Sequence, residues 1–428
     1  MNTFVGNLRN EVLRHKLKDT TLEGDLANLN KVYAAGAAEA VVFYSARILE
    51  AILKDSHLLF FGEDPSQRSK KPGLADIEQK LFDYNLLKQN RYYWAKGLRL
   101  LGNDVRHSLR RIKADEADCA LVFLEFILVW YFCEFPLGPR QNTIYKGQAR
   151  IDRVGGNLLP DLAWTLDSSR LNPVKLKVVF GPHGQDYFKK FSTNFTFPLL
   201  LIDIFIAQGD HASATRLIEG LEPFAYKQKG ALRDRFFQLQ GLILSREERL
   251  DEAMQLLEKE DARLRARSER IDVETTGILA GVYKRIWKQG QDEDYLRKSY
   301  ETYRRGWRES KSTYLGINAA TTALWLENTL ESQQLAREIK EILEQRRKLI
   351  QQKTVNHFDL NYWDMATLAE ACLLTHDLHG AYELYLTAFE KFSQLSDHIA
   401  STRKQLEVLV EKLGFDSDNV NKFAIILK

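Results

Sequence analysis

The sequence is poor in the residues that interrupt helices. Its 428 residues include only 9 prolines and 24 glycines. Because these two residues are the least favourable inside a helix, their scarcity excludes a collagen-like or loop-rich chain and favours long helices. Cysteine is scarcer still, with three dispersed residues, Cys119, Cys133 and Cys372. Such a set fits neither a disulfide framework nor a metal cluster, and it predicts a reducing, cytosolic compartment.

Excess charge of one sign and long apolar runs are missing as well. The 61 basic and 58 acidic residues give a formal charge of +3. This balance excludes a protein that coats a polyanion with its whole surface, but it allows a local basic patch. The most apolar stretch, residues 117–135, contains Asp118 and Glu125. It therefore predicts a buried helix and no membrane span. Arg9 precedes any apolar run, so we expect no signal peptide.

The spacing of apolar residues predicts an all-α protein in two helical parts. Residues 1–135 carry the pattern of four or five helices, which would form a helical bundle. Residues 136–195 are rich in glycine and proline and predict an irregular linker, in which the valine-rich run 174–180 is compatible with a small β-hairpin. Residues 196–428 return to helices, now in pairs. These pairs predict a solenoid of helical hairpins like that of tetratricopeptide repeats (TPR-like).

Small residues recur where the second helix of each hairpin is expected. They are Ala214, Ala253, Ser299, Ala336 and Ala381, spaced by 39, 46, 37 and 45 residues. This loose period lies near those of tetratricopeptide repeats, about 34, and of longer helical solenoids, about 40–47. Stacked hairpins bury a continuous core and leave a concave groove. An ordinary helical domain without repeats is the alternative.

A basic helix predicted over residues 91–113 is the first candidate site. At about 100° per residue, five polar side chains share an arc of about 100° opposite the apolar face. They are Arg99, Asn103, Arg106, His107 and Arg110. Arginine binds phosphate oxygens in pairs and imidazole transfers protons near neutral pH, so the arc suits RNA binding or metal-free phosphodiester cleavage. The alternative is a solvated face whose arginines pair with nearby acids.

The N-terminal part resembles a known superfamily over roughly residues 30–135. The resemblance is carried by Ser45-Ala46-Arg47-Ile48-Leu49-Glu50, by Leu98-Arg99-Leu100-Leu101-Gly102-Asn103-Asp104-Val105-Arg106-His107, and by the acid-started apolar helix that follows. These segments resemble the HEPN superfamily, closest to its branch with Gly-Asn-x-x-x-His. The resemblance implies a bundle that binds or cleaves RNA and pairs as a homodimer.

The catalytic residues implied by this resemblance match only in part. HEPN ribonucleases carry an arginine that is separated from the histidine by four to six residues, usually with a polar residue directly after the arginine. Asn103 and His107 match, but Gly102 stands at the arginine position. Arg99 or Arg106 would have to replace that arginine, or the domain is non-catalytic. The predicted catalytic set is His107, Asn103, Arg99 and Arg106, and Arg110 and Arg111 are predicted to bind RNA.

The C-terminal part resembles a second family over about residues 196–392. The resemblance is carried by five spaced segments, which are residues 197–203, 238–245, 274–285, 314–321 and 362–370. They resemble the TPR-type domain in the central region of the apoptosis-signal-regulating kinases, known as a TRAF-binding domain. Bacterial versions are fused to effectors in defence systems, where a nucleotide-derived ligand has been proposed. The resemblance implies a module that senses such a ligand or a protein partner.

Six residues of these segments could line the groove. They are Glu274, Lys284, Asn318, Thr321, Trp363 and Glu370. An aromatic ring with mixed charges suits a nucleotide or a peptide, although each residue alone could equally serve hairpin packing. No phosphate-binding loop or dinucleotide motif occurs, and His376 and His379 lack further zinc ligands. We therefore expect no metal and no cofactor.

Three functions are consistent with this sequence. In the first, a TPR-like sensor controls a HEPN-like domain that binds or cleaves RNA, in defence or stress signalling. In the second, both modules only bind, as a non-catalytic adaptor or scaffold. In the third, the repeat groove is the active site of an enzyme that acts on a small molecule, a function that no motif supports. Gly102 discriminates between the first two functions, because a HEPN ribonuclease would be expected to carry its motif arginine at this position.

Overall fold

The structure, a computed structural model, describes most of the chain as helix. The described residues are 20–64, 72–87, 89–107, 111–131, 135–138, 196–207, 209–227, 230–267, 271–354, 359–393 and 395–415, with Phe423 and Ile426. All regular secondary structure in these ranges is helical, which confirms the all-α prediction. The predicted linker lies outside them except for residues 136–138, and the hairpin predicted there lies wholly outside. No helix in the described ranges is both long and apolar enough to cross a membrane.

The chain divides into two compact units. Unit 1 comprises Met1–Leu200 with Gln351–Asp359, and unit 2 comprises Leu201–Ile350 with Leu360–Lys428. The described helices before the linker are α1 (Thr20–Ala34), α2 (Ala38–Phe61), α3 (Leu74–Asp83), α4 (Gln89–His107) and α5 (Ala114–Val129). Those after it are α6 (Thr196–Ala207), α7 (His211–Ala225), α8 (Gly230–Arg246), α9 (Leu250–Arg267), α10 (Val273–Gly290), α11 (Glu293–Ser310), α12 (Thr313–Trp325), α13 (Thr329–Lys353), α14 (Tyr362–Leu374), α15 (Leu378–Lys391) and α16 (Ser396–Leu413).

In unit 1, helix α2 packs against α1, α3, α4 and α5. The aromatic core lies between α4 and α5, where the ring of Trp94 stacks on Phe123 at 5.3 Å and on Phe126 at 5.8 Å between centroids. Stacked rings of this kind combine a large buried apolar area with favourable ring geometry. The bundle predicted from periodicity is therefore centred on α2, and aromatic rings fill the contact between α4 and α5.

Helix α4 is shorter than the sequence predicts. It ends at His107 and not near residue 113. Residues 111–113 form a connection, because the backbone N–H of Ile112 donates to Glu39 Oε1 at 3.2 Å and that of Lys113 to Glu116 Oε2 at 2.9 Å. The second bond is half of a capping box that starts α5. Arg111 consequently lies in the connection and not on the helix that carries Arg99.

In unit 2 the helices follow one another as packed neighbours. Helix α7 packs on α8, α8 on α9, α9 on α10, α10 on α11, α11 on α12, and α14 on α15. The five small residues predicted for second helices lie on α7, α9, α11, α13 and α15, and each has 0% of its surface exposed. Asp210, Asp292 and Asp377 directly precede α7, α11 and α15, and each accepts a hydrogen bond from a backbone N–H in the first turn of its helix. The predicted hairpin solenoid is thus confirmed.

Candidate ligand site on the first helices of the repeats

The first helices of successive hairpins lie side by side. Helix α8 packs on α10, α10 on α12 and α12 on α14. A Cβ atom added to Gly277 of α10 would overlap the ring of Tyr314 on α12, and the ring of Trp363 on α14 lies 4.7 Å from that of His398 on α16. We call Tyr314, Trp363 and His398 the aromatic row.

A second row lies seven residues further along each of these helices. Lys284 of α10, Thr321 of α12, Glu370 of α14 and Gln405 of α16 form this polar row. Thr321 donates a hydrogen bond to Glu370, and Gln405 Nε2 donates to the same carboxylate at 3.4 Å. Seven residues of helix span about 10 Å, so the two rows are about 10 Å apart.

Asn318 of α12 connects the two rows, because its amide group bonds to Lys284 of the polar row and to the backbone of Tyr314 of the aromatic row. The ammonium of Lys284 donates to Asn318 Oδ1 at 3.0 Å, and Asn318 Nδ2 donates to the carbonyl of Tyr314 at 2.9 Å. The second bond orients the amide so that its oxygen faces the lysine. Among the described residues, no carboxylate lies within ion-pair distance of Lys284, and the carboxylate of Glu370 likewise has no ion-pair partner. The opposite charges of the polar row are therefore held apart by neutral side chains.

Burial shifts the titration of these charges toward neutral pH. Burial, with the nearby charges of Lys288 and Arg285, lowers the pKa of Lys284 from 10.5 to about 8, against an opposing effect of Glu370. Burial likewise raises the pKa of Glu370, although the hydrogen bond from Thr321 and the charge of Lys284 oppose that shift. Such perturbed groups concentrate at functional sites, which marks this row as a candidate site.

Lys288 adds a second cation to the α10 side of the face. It lies one turn beyond Lys284, and burial together with the charge of Arg285 lowers its pKa. Both ammonium groups lie over the buried ring of Trp325, Lys288 Nζ at 4.8 Å and Lys284 Nζ at 5.5 Å from its centroid. The aromatic row is open by comparison, with Tyr314 45% and Trp363 43% exposed.

The structure thus brings together four of the six predicted groove residues, Lys284, Asn318, Thr321 and Glu370. Trp363 lies two turns away in the aromatic row. Glu274 belongs to a different network, because it accepts a hydrogen bond at 3.0 Å from Arg235, which is also paired with Asp203. Sequence reasoning missed Lys288, Trp325 and Gln405, which lie outside the segments that carry the resemblance. The one available signal was the spacing of four between Lys284 and Lys288, which places both on one helix face.

The basic helix α4 is more neutralised than its composition indicates. Arg99 Nε donates to the buried carboxylate of Glu78 at 2.7 Å, and only 12% of the Arg99 side chain is exposed. Arg106 is 3.5 Å from Glu50 and about one-third exposed. Asn103 is partly exposed and Arg111 is exposed. His107 ends α4, but its side chain, like the whole of Arg110, lies outside the described residues.

Gly102 is a point of close contact between two helices of unit 1. A Cβ atom added there would overlap the Cβ of Ala46 on α2. The position where the resembling ribonucleases carry an arginine therefore faces another helix at a distance that admits only glycine. Both residues belong to the segments that carry the HEPN resemblance.

Comparison with known families supports the repeat assignment. Residues 210–324 match the family described as Tetratricopeptide Repeats-Sensor (TPR-S). A TPR-type domain is present. Within it lie Lys284, Lys288, Asn318 and Thr321, whereas Trp363 and Glu370 lie beyond the matched range. The family description fits a helical module that senses a ligand or a partner. No curated protein matches the chain. In the described ranges, no cluster of three or more metal-ligating side chains could hold a metal ion.

Proposed function

We propose that the TPR-type domain senses a nucleotide-derived ligand and thereby controls the N-terminal bundle in defence or stress signalling. The observation that carries the proposal is the pair of cations on α10, Lys284 and Lys288, which lie over the ring of Trp325 without a carboxylate partner among the described residues. A ligand with negative charge is the natural complement of such a pair. The match to a sensor family adds independent support.

The dimensions of the face favour a nucleotide over a simple anion. Tyr314, 45% exposed, lies against Gly277, which is about 10 Å along α10 from Lys284 and so within the length of an extended nucleotide. The exposed Trp363 continues the aromatic row on α14. Stacking of a base on an aromatic ring contributes about 1–3 kcal/mol. A base at the aromatic row would leave the phosphates at Lys284.

A thermal-shift screen of the full chain against nucleotides, cyclic oligonucleotides and ADP-ribose derivatives tests the proposal. A ligand at a hundredfold excess over its dissociation constant should stabilise the fold by about 2.7 kcal/mol. Trp363→Ala should weaken the affinity by about 5- to 150-fold. Tyr226→Ala, which removes a 64% exposed ring elsewhere in unit 2, is the matched control and should bind as wild type. A screen without any shift would instead favour a protein partner.

For the N-terminal bundle we propose RNA as the target, bound or cleaved by a homodimer with His107 as the catalytic group. The support is the HEPN resemblance together with the exposed Arg111 and the part-exposed Arg106. Neutralising Arg106, Arg110 and Arg111 should reduce the salt dependence of RNA affinity by about one unit of slope for each phosphate that the variant no longer binds. Arg297→Ala, an exposed arginine of α11, serves as the control.

A non-catalytic adaptor is the second candidate, and the contact of Gly102 with Ala46 favours it. The same is true of Arg99, whose charge is neutralised by Glu78. Incubating total RNA with wild type beside His107→Ala discriminates between the two. Fragments that appear only with wild type would establish cleavage, whereas identical patterns would refute His107-dependent cleavage and favour the adaptor.

A further inference from the structure

We propose that Lys284 and Lys288, with Asn318 as the positioning residue, form a binding site for a phosphoryl dianion at the α10 end of the polar row. The inference rests on the proposed ligand-sensing function and assigns one part of that ligand to particular atoms.

The charge pattern of unit 2 singles these lysines out. Several other cations of the unit that are mostly buried face carboxylates, as in Arg233 with Glu260 at 2.6 Å, Arg346 with Asp364, and Lys340 with Asp377 at 2.7 Å. Lys284 and Lys288 instead rest on the ring of Trp325 and on an amide. Two like charges one turn apart on a partly desolvated surface destabilise the folded state, and a bound anion would relieve both the repulsion and the desolvation.

The hydrogen-bonding capacity points the same way. An ammonium group has three N–H donors and no acceptor. Lys284 uses one donor on Asn318 Oδ1, so two remain. The ammonium of Lys288 makes no hydrogen bond to a described residue, and only the Lys288 backbone carbonyl accepts one, from Gln291. The neighbouring Arg285 does not compete, because it donates to the carbonyl of Ser245 at 2.6 Å on the α8 side. The pair therefore leaves several N–H donors, one turn apart on the same helix face, for an acceptor-rich group.

The number of charges selects a phosphoryl group. A carboxylate would neutralise one lysine and leave the other uncompensated, whereas a terminal phosphate carries close to two negative charges at neutral pH. Glu370, on the far side of α12, repels a second anion there and confines the phosphate to the α10 side. The remainder of the ligand then extends along the helices toward Tyr314 and Trp363.

Calorimetric titration of the full chain with pyrophosphate, AMP and adenosine tests this site. Lys284→Met and Lys288→Met should each weaken pyrophosphate and AMP binding by about tenfold or more, because each removes a charge-assisted hydrogen bond. Neither should change adenosine binding, which should depend on the aromatic row. Lys298→Met is the matched control: it removes an exposed lysine of α11 that lies over Tyr295 at 4.9 Å, and it should bind pyrophosphate as wild type.

The outcomes separate this inference from the proposed function. Lysine-dependent pyrophosphate binding with no added affinity for AMP would support the phosphate site and refute the nucleotide. AMP binding that is unchanged in both lysine variants would overturn the phosphate site while the nucleotide proposal stands. Absence of pyrophosphate binding would also overturn it. Lys288 is more exposed than Lys284, so Lys288→Met keeps the test valid even if Lys284→Met fails to fold.

Discussion

Lys284 should stabilise a bound ligand at the expense of the free protein, so Lys284→Met is expected to make the unliganded chain more stable. A lysine that titrates near pH 8 instead of 10.5 is charged in the folded state at a cost of about 3 kcal/mol at pH 7. Methionine preserves most of the side-chain length without the charge. It loses the hydrogen bond to Asn318, which contributes about 1 kcal/mol. The expected net gain at pH 7 is therefore about 2 kcal/mol.

The stability gained in Lys284→Met should depend on pH in a way that identifies its cause. Below about pH 8, Lys284 is protonated in both the folded and the unfolded chain, so its cost is fully present. Between about pH 8 and 10.5 the folded chain loses the proton first and the cost declines, and above that range it vanishes. The advantage of Lys284→Met over wild type should therefore shrink by about 2 kcal/mol between pH 7 and pH 10.

Urea denaturation of the full chain at the two pH values measures both quantities. Wild type and variant are compared at the same pH, so the contributions of titratable groups that both proteins share cancel in the difference between their free energies of unfolding. Lys298→Met, on the exposed face of α11, should show no such pH-dependent gain. If Lys284→Met were less stable than wild type at pH 7, or if its advantage were equal at pH 7 and pH 10, the account of an uncompensated, desolvated lysine would be refuted.

Two predictions concern unit 1. Gly102→Ala should lower the free energy of unfolding by about 1–3 kcal/mol, because the new Cβ forces α2 and α4 apart at Ala46. Gly24→Ala, where nothing lies within 4 Å, should be neutral or slightly stabilising by the same measurement, and equal effects of the two would contradict the close approach of the helices. Arg99→Met should cost about 3–5 kcal/mol by leaving the Glu78 carboxylate, 1% exposed, without its closest partner. Adding Glu78→Gln should restore part of that stability in thermal unfolding, and no recovery would argue against the ion pair.

The local features of the fold could be predicted because they depend on short stretches of chain. The scarcity of glycine and proline, the helical spacing and the small residues of the second helices all act within one or two helices. The same is true of the aspartates at the hairpin turns, which bond to backbone groups two or three residues away. Even so, α4 ends earlier than its periodicity predicts, since Glu39, more than seventy residues away, binds the backbone of Ile112.

The candidate site shows what a linear pattern cannot contain. Sequence reasoning grouped Glu274 with Lys284 because both lie in one segment. Glu274 is, however, ten residues before Lys284 on α10, and its carboxylate is paired with Arg235 of α8. It also grouped Arg99 with Arg106 by helix angle, although Arg99 is neutralised by a carboxylate from α3. An angle on one helix states which residues share a side, not which neighbouring helix covers that side.

The sequence by itself determined that this protein is all-α, that it consists of a bundle followed by paired helices, and which helices carry the chemically distinctive residues. Only the tertiary structure decided which charges are compensated. Lys284 and Arg99 are both basic residues on amphipathic helices, and nothing in their local sequence distinguishes them. The packing of α3 supplies Arg99 with a carboxylate, whereas the packing of α12 supplies Lys284 with an amide and a tryptophan. Because electrostatic free energy depends on through-space distance and burial, a lysine available to a ligand can be recognised only after the helices have been packed.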